Sequence, residues 1–295
     1  MRIAVVGNGL IGHGIAELFA VAGHEVALIG RSSESLASAR EKIGRSIAAL
    51  VAEGVLPPLD VDEALRRVTV GTELSAASGA EFVVEALPED MPLKHATFLA
   101  LEEVCGSGAV LASASGHPAS RLDPGLAHPE RLIATHFWYP PQLLPLVEGR
   151  SSPRTSPETV ERTCGILRGI GKEPVVIDRE IEGFIGNRIQ FAALREAWSL
   201  WASGAASAEA IDAVVKHSIG RRYSITGPIE SGDLAGLGTM AAVAASLWPD
   251  LSTDAAPPQQ MDVRTARRAG TVHDRSAEEW DRLLADRRAE LVRWM

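Results

Sequence analysis

The sequence predicts an α/β protein, with an N-terminal doubly wound sheet followed by an all-α C-terminal domain. Three observations predict it. A glycine-rich turn sits between an apolar strand and a helix at the start of the chain. Strands then alternate with helices over about 180 residues, the pattern of a mostly parallel sheet. Beyond Asp178 only helical patterns follow, so the expected domains are 1–178 and 179–295.

Arg2 to Val6 is an apolar run with β-branched residues and reads as a buried strand. Gly7, Gly9 and Gly12 follow with the spacing G-x-G-x-x-G, and an apolar helical pattern runs from Leu10 to Val21. Val26 to Ile29 is the second strand. In that order each glycine has a task. One makes the tight turn, one lets the backbone approach a pyrophosphate, and one lets the helix pack closely on the strand. The helix N-terminus then offers unpaired N–H groups and a positive dipole end to phosphates. The alternative is a glycine-rich turn without a ligand.

After the second strand, an NAD-binding unit usually carries an acid that holds the ribose 2′-hydroxyl. This chain has Gly30 there, followed by Arg31, Ser32 and Ser33. A carboxylate would repel a 2′-phosphate. Glycine leaves room for one, and Arg31 with a serine hydroxyl supplies partners. The sequence therefore favours NADP over NAD, against the plainer alternative that Arg31 points to solvent.

Ser33 to Glu53 is helical, with Ser32 or Ser33 as N-cap. A short helix over Val61 to Arg67 leads to a strand at Val68 to Val70. Further strands are expected at Ala80 to Glu85, Ala109 to Ala112 and Arg131 to Thr135. Others follow at Leu143 to Glu148, after the Pro140-Pro141 break, and at Glu173 to Ile177. Glu89 to Val104 is a helix with Pro92 in its first turn, and Pro157 to Gly169 is another. In the second part, helices are expected over Phe184 to Ala202, Ser207 to Ser218, Pro228 to Trp248 and Ala277 to Trp294, with a loop at Ala255 to Gln260. The last helix mixes both charge signs along a solvated face. Its apolar stripe of Trp280, Leu283, Leu284, Leu291 and Trp294 closes the core or meets a second subunit.

Composition narrows the class. Of the 295 residues, 46% are hydrophobic and 23% charged, ordinary for a soluble domain. The net charge of −9 argues against a nucleic-acid partner. Cys105 and Cys164 read as free thiols of a reducing compartment. The first apolar strand runs straight into the glycine turn, so no signal peptide is read. No apolar run reaches the ~18 residues that span a membrane. The expectation is a cytoplasmic protein.

In open α/β sheets the ligand lies beyond the carboxyl ends of the strands. Three such ends carry polar residues: Glu85 with Ala86, Ser113 with Ser115, and His136. Of the eight histidines, His136 alone ends a buried strand where the sheet meets ligand. Glu148 lies twelve positions on, at the end of the next apolar strand. Two strands ending together would pair the side chains. A carboxylate fixes the tautomer of the imidazole and stabilises its cation, which suits a general base. A structural His–Glu pair fits the spacing equally well. By themselves, Ser115 reads as a loop cap and Asn187 as a helix-start residue.

The runs FVVEALPED, THFWYPPQLLPLVEG, GFIGNRIQFAALREAW and GRRYSITGPIE resemble the L-3-hydroxyacyl-CoA dehydrogenase family. The likeness is to its shorter branch of λ-crystallin/L-gulonate 3-dehydrogenase and carnitine dehydrogenase relatives. It extends over nearly the whole chain. The resemblance implies NAD(P)-dependent oxidation of an L-3-hydroxy acid or thioester to the 3-oxo compound, and the reverse. It also implies a Rossmann domain followed by a helical domain that forms a homodimer. Position by position, it makes His136 the catalytic base and Glu148 the carboxylate that orients it. Ser115 matches the serine that bonds the substrate oxygen, Asn187 the asparagine that contacts substrate near the nicotinamide, and Glu85 the acidic residue in the loop lining the nicotinamide ribose. The expected cofactor set is Gly7, Gly9, Leu10, Ile11, Gly12, Gly30, Arg31, Ser32, Glu85, Ala86 and Ser113.

Three features depart from the family pattern. The loop SASGHPAS is one residue shorter than usual. Tyr139 stands where the family has Asn, which bears on substrate choice. Gly30 replaces the usual acid. A free carboxylate on the substrate would want a guanidinium, from Arg222 or its neighbour Arg221. Residues 50 to 67 hold Arg66 and Arg67 but no basic cluster for CoA, so a small 3-hydroxy acid is favoured. The alternatives are the CoA thioester and a crystallin-like structural protein that binds cofactor.

Overall fold

Parallel strands covered on both faces need continuous apolar runs, and the first part of the chain supplies them. In the computed structural model, which describes residues 1–258, 272–273 and 275–294, these runs form one sheet. Its strands are β1 (Arg2–Val6), β2 (Glu25–Ile29), β3 (Val68–Gly71), β4 (Phe82–Glu85), β5 (Val110–Ser113), β6 (Leu132–Phe137), β7 (Leu146–Ser151) and β8 (Glu173–Val176). Their spatial order is β3-β2-β1-β4-β5-β6-β7-β8. Every pairing is parallel except β6 with β7. The order reverses between β1 and β4, so the crevice where a ligand binds opens at the carboxyl end of β1.

Successive strand residues point to opposite faces, and the core divides accordingly. Ile3 and Val5 join Ile15, Phe19, Leu28, Ile43 and Phe82 on one side. Ala4 and Val6 join Val83, Phe98, Leu101 and Leu111 on the other. The covering helices are α1 (Gly12–Val21), α2 (Ser33–Ala52), α3 (Val61–Arg66), α4 (Met91–Val104) and α5 (Pro157–Gly169). Side-chain caps fix several of their starts: Ser32 accepts from Ser35 N, Asp90 from Leu93 N, and Ser156 from Thr159 N. Leu36, Ala39, Ile43, Ile47 and Leu50 give α2 its buried stripe at helical spacing. Cys105 and Cys164 are buried and unbridged.

The helical part comprises α6 (Phe184–Ala202), α7 (Ala208–His217), α8 (Ile219–Tyr223), α9 (Pro228–Ala235), α10 (Leu237–Leu247) and α11 (Ala277–Arg293). The chain forms two compact units, Met1–Ile185 with Ala285–Met295, and Gly186–Leu284. No residue of α7 to α10 is buried within the single chain. No helix among the described residues is long and apolar enough to cross a membrane.

α8 has no counterpart among the expected helices, β6 runs on through His136 to Phe137, and two further elements differ from expectation. Pro228 to Trp248 is not one helix, because Gly236 at φ +89° separates α9 from α10. β7 begins at Leu146, not Leu143, and continues past Glu148. Leu143 N and Leu144 N instead donate to Pro140 O, closing a turn that uses the leucines before the strand begins. The loop expected over Ala255 to Gln260 is described only as far as Pro258, and the rest lies outside the described residues.

Candidate active site

The glycine turn is built for a close visitor. Gly7 adopts φ +110°, and its N–H donates to Ile29 O at 2.8 Å, tying the turn to β2. A β-carbon on Gly7 would strike the Ala86 carbonyl, and one on Gly12 would strike the Gly7 carbonyl. The chain's own backbone thus requires those two glycines. Gly9 is different: a β-carbon there would meet nothing within 4 Å. Its bareness fits a group approaching from outside, as a pyrophosphate does. Leu10 is 60% exposed, and Ile11 caps α1 with no side-chain hydrogen bond. His13 N donates to Gly9 O at 3.2 Å, and no side chain caps the rest of the first turn, which suits an anion there. Gly7, Gly9, Leu10, Ile11 and Gly12 form this cradle, whose shape fits a dinucleotide.

At the end of β2, Arg31 is exposed and Ser32 accepts the capping bond from Ser35 N at 3.2 Å. Gly30 is confined by Asn8, a residue of the same turn without a motif signal of its own.

His136 and Glu148 face each other as register partners across the antiparallel β6–β7 pair. The sequence alone suggests two neighbouring strand ends. The structure places both residues within the ladder, because β7 runs back along β6. His136 Nδ1 lies 3.0 Å from Glu148 Oε2. A carboxylate accepts, so Nδ1 carries the hydrogen and Nε2 keeps the lone pair. Glu148 is 2% exposed and firmly held. Its Oε2 also accepts from Trp138 Nε1 at 3.2 Å, and its Oε1 from Ile185 N at 2.9 Å.

Aromatic rings fix the imidazole from two sides. Phe184 stacks on His136 with centroids 5.5 Å apart and planes at 3°, while Trp138 meets it edge-on at 5.4 Å. Phe184 is the one described non-glycine residue with positive φ, at +53°. Neither aromatic was legible as a site residue. Trp138 carried a weak signal, its place two positions after His136 on an alternating strand.

Glu85 and Ser113 occupy the expected strand ends, but their side chains face inward. Both are 0% exposed. Glu85 Oε1 accepts from Lys94 Nζ at 2.8 Å and Leu87 N at 2.6 Å, and Oε2 accepts from Ser113 Oγ at 2.6 Å. A carboxylate so occupied holds the loop that includes Ala86. Ser115 is also buried, and its Oγ donates to Glu89 Oε2 at 2.7 Å while accepting from His117 N at 3.1 Å.

The segment from Tyr139 to Pro145 follows β6 and is pinned from two directions. Gln142 Nε2 donates to Glu17 Oε2 at 2.8 Å, and Ser46 Oγ donates to Glu17 Oε1 at 2.8 Å. Lys172 Nζ donates to Pro141 O at 2.6 Å and Leu144 O at 3.0 Å. Burial pushes the Glu17 carboxyl up to about 7, against the pull of its hydrogen bonds and of Arg288. Burial alone pushes the Lys172 ammonium down to about 8. Tyr139, at the head of this segment, is 45% exposed.

In the second unit, Asn187 is half-buried on α6 and Arg222 is exposed on α8, with Arg221 beside it.

The whole chain has recognisable relatives. The model of the 3-hydroxyacyl-CoA dehydrogenase NAD-binding domain matches residues 2–181, and that of the C-terminal domain matches residues 183–280. The chain belongs to the 3-hydroxyacyl-CoA dehydrogenase family. It is thus an oxidoreductase of a pyridine-nucleotide-dependent family, with a Rossmann domain followed by a helical one. Lambda-crystallin of Oryctolagus cuniculus is 37% identical over 232 residues, 78% of this chain and 73% of its own length. The 5-formyl-3-hydroxy-2-methylpyridine 4-carboxylate 5-dehydrogenase of Mesorhizobium japonicum is 32% identical over 277 residues, 91% of this chain and 87% of its own. A solved structure of a dehydrogenase of that name, described as an NAD+ dependent dismutase, superposes with a TM-score of 0.89 at 28% identity. It covers 99% of this chain and 96% of its own.

Proposed function

We propose that the protein is an NADP-preferring dehydrogenase that interconverts a small L-3-hydroxy acid and its 3-oxo acid. The observation that carries this reading is the His136–Glu148 pair, 3.0 Å apart, with Nε2 left as the free base atom. The nicotinamide, when bound, supplies the hydride acceptor. His136 Nε2 takes the proton of the substrate hydroxyl, and Glu148 stabilises the imidazolium that results. Trp138 and the Ile185 N–H keep Glu148 from turning away. Ser115 and Asn187 donate to the substrate oxygen as its charge changes. Ser115 must first release Glu89, to which its hydroxyl donates.

Arg222, with Arg221 as alternative, pairs with the substrate carboxylate, and Tyr139 shapes the substrate end of the site. The helical domain, from residue 179, binds substrate and forms a homodimer. Its lone-chain surface supports this: Ile225 is 81% exposed, Ile229 80% and Leu234 79%. A second copy covers such a face.

The lack of a carboxylate at Gly30 and the charge of the exposed Arg31 support NADP, although Asn8 and Leu36 fill the room that the glycine was expected to leave. The solved relative described as NAD+ dependent favours NAD as the second reading. The test is a screen of L-3-hydroxy acids and of acetoacetyl-CoA with both cofactors. Turnover of free acids with NADP supports the proposal. Turnover of acetoacetyl-CoA alone assigns the thioester. Cofactor binding with no turnover of any substrate assigns a crystallin-like role.

A further inference from the structure

Asn8 is the middle residue of G-N-G in the turn and is half-buried. Its carboxamide lies against the end of β2. A β-carbon at Gly30 would stand 2.6 Å from Asn8 Oδ1, 2.8 Å from Asn8 Cγ and 2.9 Å from Leu36 Cδ2. Gly30 N donates to Gly71 O on β3 at 3.1 Å, and Gly7 N, beside Asn8, donates to Ile29 O at 2.8 Å, so the backbone on each side of the contact is tied to the sheet. In dinucleotide-binding units of this architecture, a carboxylate near the end of the second strand takes the ribose 2′-hydroxyl. Here no side chain can grow from position 30 without displacing Asn8.

We propose that Asn8 contacts the 2′ position of the cofactor's adenosine ribose, in the place that a β2 carboxylate would otherwise hold. The proposal rests on the reading of the turn as a dinucleotide site, and it stands apart from the choice of NADP over NAD. A carboxamide is neutral, with two N–H donors and one acceptor oxygen. It donates to a 2′-phosphate and accepts from a 2′-hydroxyl. A carboxylate only accepts, and it repels the phosphate. Asn8 therefore supplies a contact that tolerates either group, while the exposed Arg31 guanidinium adds the charge that separates them.

Calorimetric titration of NADPH, NADH, 2′,5′-ADP and nicotinamide mononucleotide tests this on the wild type, Asn8→Ala, Gly30→Asp and the double variant Asn8→Gly/Gly30→Asp. Asn8→Ala should weaken 2′,5′-ADP and NADPH about tenfold and leave the mononucleotide unchanged, as expected for one lost bond to a charged group. Gly30→Asp alone should weaken both dinucleotides, because two side chains contend for one place. The double variant should bind NADH and lose 2′,5′-ADP. Asn8→Ala with unchanged affinity for every ligand overturns the proposal, as does Gly30→Asp that gains NADH affinity with Asn8 in place. A wild type that prefers NADH, and is weakened for it by Asn8→Ala, overturns the NADP preference and upholds Asn8.

Discussion

The Phe184 ring lies parallel to the His136 imidazole, with centroids 5.5 Å apart and planes at 3°. The backbone pays for this placement, since φ of +53° is left-handed and disfavours a residue with a β-carbon. The same twist starts α6 so that the Ile185 N–H points at Glu148 Oε1.

Phe184 therefore reverses a usual ranking. Alanine at 184 loses the ring and keeps the strain, whereas glycine loses the ring and relieves it. Removing a buried Phe costs about 3–5 kcal/mol, and the left-handed penalty is about 1–2 kcal/mol. Urea denaturation should find Phe184→Gly at least as stable as Phe184→Ala. A glycine variant less stable by more than about 1 kcal/mol, the ordinary helix preference, would remove strain from the account.

Lys94 and Glu85 form an ion pair of 2.8 Å with exposures of 1% and 0%. Removing one partner strands a buried charge. Lys94→Met should cost about 3–5 kcal/mol, and the double variant Lys94→Met/Glu85→Gln should recover part of that. Denaturation of both variants checks it; equal losses in the two would mean that packing, not charge, sets the cost.

Much of this was legible in the chain, for a physical reason. Strands covered on both faces are continuous apolar runs, so β1, β2, β4 and β5 stand out in the sequence without any contact information. The glycine spacing marks the cradle because two of its glycines are forced by backbone collisions. His136 and Glu148 were legible as a pair at two neighbouring strand ends, but not as register partners within an antiparallel ladder. Their register depends on where the Pro140 turn ends, and the apolar Leu143 and Leu144 look like strand. The Lys94–Glu85 pair was hidden because charges on different elements meet only in the fold. Asn8 and Phe184 left no periodic signal. Glu17 left one: an acid among Ile15, Ala16, Phe19 and Ala20, all buried.

Glu17 and Lys172 predict an unusual pH profile of stability. The Glu17 carboxyl titrates near 7 when folded, against an ordinary 4.5, so the folded state holds the extra proton between those values. Stability falls as pH rises through that window. The Lys172 ammonium titrates near 8 when folded, against an ordinary 10.5, so the unfolded state holds the extra proton between those values. Stability rises with pH there. Both costs are in full force between pH 7 and 8, each roughly 3 kcal/mol. Denaturation at about pH 5.5, 7.5 and 9.5 should show a minimum at the middle value, and Glu17→Gln should flatten the acid side. A maximum at pH 7.5 would contradict both assignments.

In the proposed function His136 is the proton acceptor of a nicotinamide-linked oxidation. That role is read from kcat of His136→Gln, measured beside the Kd for NADPH on the same preparation. The expected loss in kcat is about 100- to 10,000-fold with the Kd unchanged. An undiminished kcat would contradict that role.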